Sequence, residues 1–267
     1  MYNLHLSPEQ LEIRDTVRDF VAREVKPLAI RPERLEARTR PLLNDALDKA
    51  SQLGLRSLAL SEEAGGAGAD TLTCCIVTEE LALGDPDIAA VLAQTSMLAH
   101  VLFDRLMTPE QRARFLPPFL MDDRHHLALA NEPDSEAALG IHYHRPETGE
   151  AGVKTTAVRT GDTWVINGVK DRVANGPVAK LFAVEVSSDA NGASLLLVPH
   201  DTPGLSMRES DRSGHSRHGV CGELVFKDCR VPLENLVGRE HESPLAGDAA
   251  RDPPQAPALN LGIGRAA

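Results

Sequence analysis

The sequence is poor in aromatic residues: six Phe, two Tyr and one Trp occur among its 267 residues. So few rings argue against an aromatic platform on which nucleotide bases stack. Basic residues are also in the minority, 28 Lys and Arg against 39 Asp and Glu, which gives a net charge of −11 with His neutral. A surface that binds nucleic acid or an anionic membrane needs an excess of positive charge. The composition therefore predicts neither partner.

Further absences concern the compartment and metal binding. No apolar run approaches the roughly 18 residues of a membrane span, and the N-terminal stretch MYNLHLSPEQ lacks the basic and apolar regions of a signal peptide. The four cysteines form no CxxC pair and no zinc-binding spacing. These features predict a cytoplasmic protein with free thiols and without a metal site.

The first 122 residues carry helical patterns. Small polar residues that suit helix N-caps stand at Ser7, Asp70, Asp85 and Thr108, each before a segment with apolar residues at steps of three and four. A Gly at position 54 favours the end of a further helix. The predicted helices span about 8–32, 40–53, 71–83, 87–107 and a short stretch from 109.

From about residue 123 the pattern changes to short strands, predicted near 126–130, 154–158, 163–166, 181–186, 194–198 and 223–226. Asn167-Gly168 is a strong hairpin signal, since both turn positions require positive φ. The fold class predicted is α+β. An N-terminal helical domain (1–122) precedes a small antiparallel β-barrel or sandwich (123–240), followed by a proline-rich linker and the start of another helix (241–267). That last helix is too short to be stable alone, and we expect it to need a partner surface outside this sequence.

Five segments, in the same order over about 180 residues, resemble motifs of the acyl-CoA dehydrogenases. They are Glu62–Gly68, similar to "PEEYGGLG"; Ala128–Pro133, similar to "ALTEP"; Thr155–Lys170, similar to "TTAVRDGDEYVLNGTK"; Asn175–Gly176, similar to the end of "WITNG"; and Glu223–Pro232, similar to "ELVFDDVRVP". One such match is weak, but five in register are specific.

The resemblance implies FAD as cofactor and an acyl-CoA thioester as substrate. Family members remove a proton from Cα of the thioester and pass a hydride from Cβ to the flavin N5. They have a helical domain, a β-domain and a C-terminal four-helix domain that carries the catalytic Glu. This sequence matches the first two domains and about ten residues of the third, so the resemblance places the base outside it. Family members are dimers or tetramers, which implies a homo- or hetero-oligomer.

The resemblance also implies site residues, several of which depart from the family. The implied FAD-binding residues are Ala128, Ala130, Asn131, Arg172, Val173 and Ala174, and the implied substrate-binding residues are Ser135 and Arg217. Asn131 stands where the family has a Thr that bonds the flavin, and Arg172 where it has a Trp. Ala174 replaces a Thr whose hydroxyl donates to flavin N5 in the family.

Alternatives remain open at this stage. The departures suit a non-catalytic subunit of a heteromeric acyl-CoA dehydrogenase, an acyl-thioester-binding protein with a degenerate flavin site, or a member with flavin monooxygenase-like chemistry. The glycine-rich segment 62–68 favours a tight turn over a phosphate loop, and Glu79-Glu80 a solvated helix face over general bases. Residues 141–150 have no counterpart in the family motifs and predict an exposed loop near the flavin.

Overall fold

The structure is a computed structural model that describes residues 5–34, 41–131, 155–189, 192–209, 219–245 and 255–266. Its helices are α1 (Pro8–Phe20), α2 (Lys26–Ala29), α3 (Asn44–Gln52), α4 (Thr71–Ala82), α5 (Pro86–Ala99), α6 (Pro109–Met121) and α7 (Gln255–Ala266). Its strands are β1 (His126–Ala130), β2 (Thr156–Thr160), β3 (Thr163–Ala174), β4 (Ala179–Asp189), β5 (Gly192–Pro199), β6 (Leu205–Glu209), β7 (Cys221–Pro232) and β8 (Leu236–Val237). The predicted α+β class, with helices before strands, is confirmed.

The helices begin where the capping residues predict. The side chains of Ser7, Asp70, Asp85 and Thr108 each accept hydrogen bonds from backbone N–H groups in the first turn of the next helix. A cap of this kind contributes about 1 kcal/mol. The helix ends are less regular, because α1 and α5 each continue into a π-helical turn, Val21–Val25 and His100–Leu106.

One helical stretch, Pro86–Leu106, is long and apolar enough to cross a membrane by length and composition. The expectation that no such stretch exists is therefore wrong. Its most apolar window is 72% buried inside the protein, and Leu98, Leu102 and Phe103 are fully buried. A helix that is apolar on all sides and buried in this way is typical of the core of a globular protein.

The eight strands of the described residues form one mixed sheet, in the order β6-β7-β3-β2-β4-β5-β8, with β1 beside β4. The β1–β4 and β2–β4 pairings are parallel, and the other pairings are antiparallel. The small β-domain is thus present, but the described sheet is open and mixed rather than a closed antiparallel barrel. Parallel pairing needs a long connection, which the chain supplies between β1 and β4.

The β2–β3 hairpin does not turn at the predicted Asn167-Gly168 pair. Its turn is Gly161-Asp162, where Gly161 has φ +58°. Gly168 lies inside β3 with φ +138°, at a shift of register against β7. A Cβ added to Gly168 would lie 2.8 Å from the Cα of Thr155. This glycine therefore permits a close approach of backbones at a bulge instead of making a turn.

The core is continuous from the helices into the sheet. Along β1, Leu127 and Leu129 pack in one cluster with Phe103 and other residues of the helices, whereas Ala128 and Ala130 pack in the core of the sheet. The alternation follows from the two-residue period of a strand. Because β1 is buried on both faces, it holds the helical layer and the sheet together.

Helix α7 packs on α4 of the same chain, so the expectation that its partner surface lies outside this sequence is wrong. A Cβ added to Gly262 would overlap the carbonyl oxygen of Glu79. The Arg265 guanidinium forms an ion pair with Glu79 and lies 3.4 Å from Glu80. Small size at Gly262 and opposite charge at the next turn therefore seat α7 on α4.

Candidate functional site

One edge of β1 has no neighbouring strand in the part of the sheet that the structure describes. Within the described residues β1 pairs with β4 alone, so the backbone groups on its other edge have no strand partner. The side chains of Ala128 and Ala130 are fully buried in the core of the sheet. They can therefore present only backbone groups to a ligand. Asn131 follows at once, is half-buried, and is the first polar side chain beyond the strand.

The end of β3 lies beside this edge. Val173 is buried in the same cluster as Ala128, and Ala174 is half-buried and pairs with Cys221 of β7. The backbone of Arg172 belongs to β3, whereas its side chain lies outside what the structure describes. Of the predicted FAD-binding side chains, Asn131 and Ala174 are thus the two described ones that are not buried.

Asn175, which follows the end of β3, connects that strand to β1 and to α5. Its φ is +62°, which Asn tolerates better than most residues, and its side chain is almost completely buried. The amide Nδ2 donates to the carbonyl oxygens of Val91 at 3.0 Å and Leu127 at 3.2 Å, and to the hydroxyl of Thr95 at 3.2 Å. The backbone N–H donates to Val220 O at 2.8 Å. One side chain therefore bonds α5 and β1 at the end of β3.

The Thr95 hydroxyl extends this connection to His126. Its Oγ1 lies 3.3 Å from His126 Nδ1 and already accepts from Asn175. A hydroxyl carries one proton and two lone pairs, so the tautomer of His126 decides which of the two groups donates in this contact. His126 Nε2 is buried and has no hydrogen-bond partner among the described residues. The Asn175, Thr95 and His126 side chains form one buried chain of contacts, which we call the Asn175 network.

A buried cation lies close to the start of β1. Arg56 Nη1 donates to Phe119 O at 2.7 Å and to His125 O at 3.2 Å, with the guanidinium 4.2 Å from the centre of the Phe119 ring. Burial and the positive charge of Arg56 lower the pKa of His125 to about 4 and that of His126 to about 3. Both imidazoles are therefore neutral at pH 7.

The predicted substrate-binding residues Ser135 and Arg217 lie outside the described residues. The nearest described position to Arg217 is Gly219, whose N–H donates to Asp87 Oδ1 at 2.7 Å. Asp87 lies 3.9 Å from the buried guanidinium of Arg34, which also pairs with the helix cap Asp85. A buried ion network thus fixes the start of β7 against the N-terminus of α5.

The glycine-rich segment 62–68 is a tight turn, as predicted. The N–H groups of Gly66 and Gly68 donate to Ser61 O and Leu60 O, so they are used inside the turn rather than offered to a phosphate. A Cβ on Gly66 would overlap the backbone of Leu60. Ser61 is itself held by Asp104, whose carboxylate accepts from the Ser61 hydroxyl at 2.7 Å.

The two adjacent glutamates of α4 are ion-paired. Glu80 is buried, not solvated as expected, and accepts two hydrogen bonds from Arg18 at 2.7 and 3.1 Å. Burial alone would raise the pKa of Glu80, but the hydrogen bonds and charges of Arg18 and Arg265 hold it below its usual value. A carboxylate kept ionised and paired in this way is a poor general base.

The cysteines belong with the possible metal ligands, because thiol, imidazole and carboxylate side chains can all bind a metal ion. None of the four cysteines forms a disulfide, and burial raises the pKa of Cys74 to about 12 and that of Cys229 to about 11. In the described ranges no three His, Cys, Asp or Glu side chains are grouped so as to hold a metal ion. Residues 141–150, predicted as an exposed loop, lie outside those ranges.

The structure thus places three predicted positions, Ala128, Ala130 and Val173, in one buried cluster, and Asn131 and Ala174 follow them directly along β1 and β3. The sequence pattern did not single out Thr95, and Asn175 stood out only as part of a motif. The pair His125-His126 is expected from the sequence to be ordinary surface at the start of a strand, which is wrong for His126, because its side chain is buried. The Asn-Gly pair at 175–176 was a signal of positive φ. That its amide reaches three acceptors from two other elements has no signal in the sequence.

Two family comparisons agree with the order of these elements. The profile of the acyl-CoA dehydrogenase N-terminal domain matches residues 7–123, and that of the acyl-CoA dehydrogenase middle domain matches residues 147–229. Isobutyryl-CoA dehydrogenase of Dictyostelium discoideum is 30% identical over 239 residues, which are 88% of this chain and 54% of that protein. The chain spans 52% to 60% of the length of the first curated relatives it matches.

Solved structures share the fold. Butyryl-CoA dehydrogenase from Megasphaera elsdenii superimposes with a TM-score of 0.83 at 24% identity, covering 99% of this chain and 68% of that one. A glutaryl-CoA dehydrogenase from Mycobacterium smegmatis, solved in complex with FADH2, gives a TM-score of 0.72 at 26% identity, covering 97% and 61%. The similarity to butyryl-CoA dehydrogenase, at 24% identity, concerns the fold alone.

Proposed function

Because this chain belongs to the acyl-CoA dehydrogenase family, we propose that it binds FAD and takes part in the α,β-dehydrogenation of an acyl-CoA thioester. The observation that carries the proposal is that the end of β3 lies beside β1, with Val173 buried in the same cluster as Ala128 and Ala130. Asn131, which follows the end of β1, and Ala174, which lies beside the start of β1, are the positions of two flavin-contacting family residues, and both are partly exposed. Relatives with this fold are named as acyl-CoA dehydrogenases, and one was solved with FADH2.

The residues at this edge fit a flavin ring. The edge of β1 that has no strand partner among the described residues offers backbone groups beyond Leu127 O, which is bound to Asn175, to the polar atoms along one side of the ring. The Asn131 amide adds both a donor and an acceptor. The methyl group of Ala174 leaves room for the ring but provides no side-chain hydrogen bond. The set therefore fits FAD with fewer contacts than the family motif supplies.

The chemistry that FAD supplies when bound is acceptance of a hydride. The part of this chain is to hold the ring: the edge of β1 and Asn131 orient it, while Val173 and the buried sheet core behind it exclude water. Ser135 and Arg217 are the proposed contacts with the acyl-CoA thioester. We assign no catalytic base to the described residues, because Glu79 and Glu80 are committed to ion pairs.

The proposed setting is a cytoplasmic homo- or hetero-oligomer, a dimer or tetramer, whose partner is an acyl-CoA substrate. A net charge of −11 disfavours nucleic acid and anionic membranes as further partners. The burial of Pro86–Leu106 supports a core role for its most apolar helix.

A second candidate function is favoured by the substitutions at the flavin positions. With Ala174 in place of a Thr and Arg172 in place of a Trp, a non-catalytic subunit or acyl-thioester-binding protein with a degenerate flavin site is the alternative. Such a protein would keep the fold and the acyl-CoA contacts and lose tight FAD binding.

The test is a pair of titrations on the protein as its own gene encodes it. FAD is added first and followed by quenching of flavin fluorescence, and short, medium and long acyl-CoA thioesters are then added anaerobically. FAD binding with bleaching of the visible flavin band supports the dehydrogenase. Acyl-CoA binding, measured by calorimetry, without FAD binding supports the second candidate. A protein that binds neither FAD nor acyl-CoA contradicts both candidates.

A further inference from the structure

The Asn175 network makes more connections at the end of β3 than a turn requires. Besides its three side-chain contacts, the Asn175 carbonyl accepts from the N–H groups of Val178 and Ala179, at 3.0 and 2.9 Å. These bonds fix the start of β4, and the N–H of Asn175 fixes the segment before β7 through Val220. The position immediately before this residue is Ala174.

The side-chain contacts lead to elements that the turn itself does not involve. Val91 and Thr95 are one helical turn apart on α5, and Leu127 is in β1. The amide has two N–H groups for three acceptors, so one of them is shared. All of these residues are buried, so losing the amide would remove hydrogen bonds from acceptors that water does not reach.

The consequence concerns the geometry of the proposed flavin edge. The end of β3 has a register shift between Lys170 and Val173, so the sheet ladder alone defines the last residues of the strand less strictly. The Asn175 contact with Leu127 O sets the distance between the end of β3 and the start of β1. Thr95 contacts both Asn175 and His126. These contacts fix the position of the end of β3 and the start of β1 relative to α5.

We infer that Asn175 is a positioning residue, held through the Thr95 hydroxyl and His126, that fixes Val173 and Ala174 against β1, along which the flavin ring binds. This inference rests on the proposed function for the identity of the ligand. Since Ala174 offers no side-chain hydrogen bond, the backbone at this point carries more of the flavin contact. The accuracy of its placement then matters more than it would beside a hydroxyl.

The test compares substitutions on two adjacent residues of α5. Thr95→Val keeps the shape of the side chain but removes the hydroxyl between His126 and Asn175, and Thr95→Ser restores the hydroxyl. Ser96→Ala is the matched control, because the Ser96 hydroxyl accepts from Ala59 N–H at 2.8 Å, away from the strand ends. Asn175→Gly accommodates the positive φ and removes the amide altogether.

Two readouts are measured on the protein as its gene encodes it. Amide hydrogen exchange over residues 170–179 reports the placement of the strand end without any cofactor. FAD titration reports whether the placement of the strand end affects FAD affinity. We expect Thr95→Val and Asn175→Gly to speed exchange in this segment and to raise the dissociation constant of FAD about tenfold, a loss typical of a hydrogen bond. Thr95→Ser and Ser96→Ala are expected to change the constant by less than about twofold.

The outcomes separate this inference from the proposed function. Unchanged exchange over 170–179 in Thr95→Val overturns the positioning role, whatever happens to FAD. Faster exchange in a protein whose unsubstituted form does not bind FAD overturns the proposed function and leaves the positioning role intact. An equal loss of FAD affinity in Ser96→Ala and Thr95→Val overturns the inference, because general destabilisation then accounts for both. If Asn175→Gly does not fold, the Thr95 pair still decides.

Discussion

At the scale of single residues, the methyl group of Ala174 sets the strength of the proposed flavin site. We expect Ala174→Thr to supply a hydroxyl beside the ring and to tighten FAD. A single hydrogen bond contributes about 0.5–1.5 kcal/mol net, which corresponds to roughly a few-fold to tenfold in affinity. Ala174 is half-buried, so the added hydroxyl does not have to enter the core. The measurement is a flavin titration of both proteins under identical conditions.

The control for Ala174→Thr is Ala193→Thr, which adds the same group to a half-buried alanine in β5, within the stretch that pairs with β4. It is expected to leave FAD affinity unchanged. The double substitution Ala174→Thr with Arg172→Trp separates a missing hydroxyl from a blocked ring site. Tightening in the double variant alone would favour the degenerate-site alternative. Tight FAD binding that neither variant changes would contradict the importance of these positions.

His126 gives a prediction about acid stability. Its pKa falls from 6.5 in the unfolded chain to about 3 in the folded protein, chiefly because of burial. The unfolded state therefore binds more protons between these values, and this contribution to stability is complete above pH 6.5 and is lost as the pH falls toward 3. At pH 5 the loss is about 2 kcal/mol. We expect His126→Asn, which keeps an acceptor near Thr95, to show a shallower fall in the urea midpoint between pH 7 and pH 5.

The comparison for His126→Asn is His200→Asn, at an exposed position. This variant should reproduce the pH dependence of the unsubstituted protein. The absolute stability of His126→Asn at pH 7 is not the readout, since a smaller side chain also leaves space in the core. Parallel curves for all three proteins would rule out His126 as a source of acid sensitivity.

At the scale of elements, the docking of α7 on α4 depends on the absence of one side chain. We expect Gly262→Ala to destabilise the protein by about 1–3 kcal/mol, because its Cβ overlaps the backbone of α4. Gly264 lies two residues further along the same helix and has open space around it. Gly264→Ala should therefore be neutral or stabilising by up to about 1 kcal/mol, through helix propensity alone. Amide exchange over 255–266 and the thermal midpoint measure both effects.

Equal behaviour of the Gly262 and Gly264 variants would contradict the close packing of α7 on α4. The pair also explains why the sequence did not predict the docking. Both glycines lower helix propensity equally, and both led to the expectation of an unstable helix. Only the three-dimensional arrangement makes Gly262 the contact and Gly264 the solvent-facing residue.

Local rules predicted the elements well and their associations less well. The caps at Ser7, Asp70, Asp85 and Thr108 depend on bonds within one turn, so sequence spacing was sufficient. The strand pairing of β1 with β4 joins residues about fifty positions apart, and nothing in either strand specifies a parallel neighbour. Asn167-Gly168 has the composition of a turn, but packing against Thr155 places it inside a strand.

The candidate site shows the same division. Motif order identified the segments that contain Asn131 and Ala174, at the ends of β1 and β3. It did not identify Thr95 or His126, because their roles come from the packing of α5 behind the sheet. Buried polar contacts between distant elements have no periodic pattern, and only the folded arrangement makes their partners apparent.

At the scale of the whole molecule, the predicted boundary between a helical domain (1–122) and a β-domain (123–240) passes through a shared core. One hydrophobic cluster contains Leu102 and Phe119 from the helical part together with Leu129 and Leu197 from the sheet. The Asn175 network crosses the same boundary. The boundary remains a prediction, and the shared core makes a specific claim about how the described parts unfold.

We expect the helices and the sheet to unfold in one transition. Trp164, the single tryptophan, is buried in the core of the sheet, so its fluorescence reports the β-part, whereas circular dichroism at the helical minimum reports α1–α7. Leu102→Ala removes a fully buried side chain of the shared cluster and should cost about 2–5 kcal/mol. Since the cluster belongs to both parts, the urea midpoints by both probes should fall together.

A matched substitution inside one part shows whether the shared cluster is the cause. Leu92→Ala removes a fully buried leucine of α5 from the cluster that lies mainly among the helices. If the molecule is one cooperative unit, this variant also moves both probes equally. If Leu92→Ala shifts only the helical signal while Trp164 fluorescence keeps its midpoint, the two parts unfold separately. The boundary near residue 122 is then a true domain boundary, and the contacts across it, including the Asn175 network, break before either part unfolds.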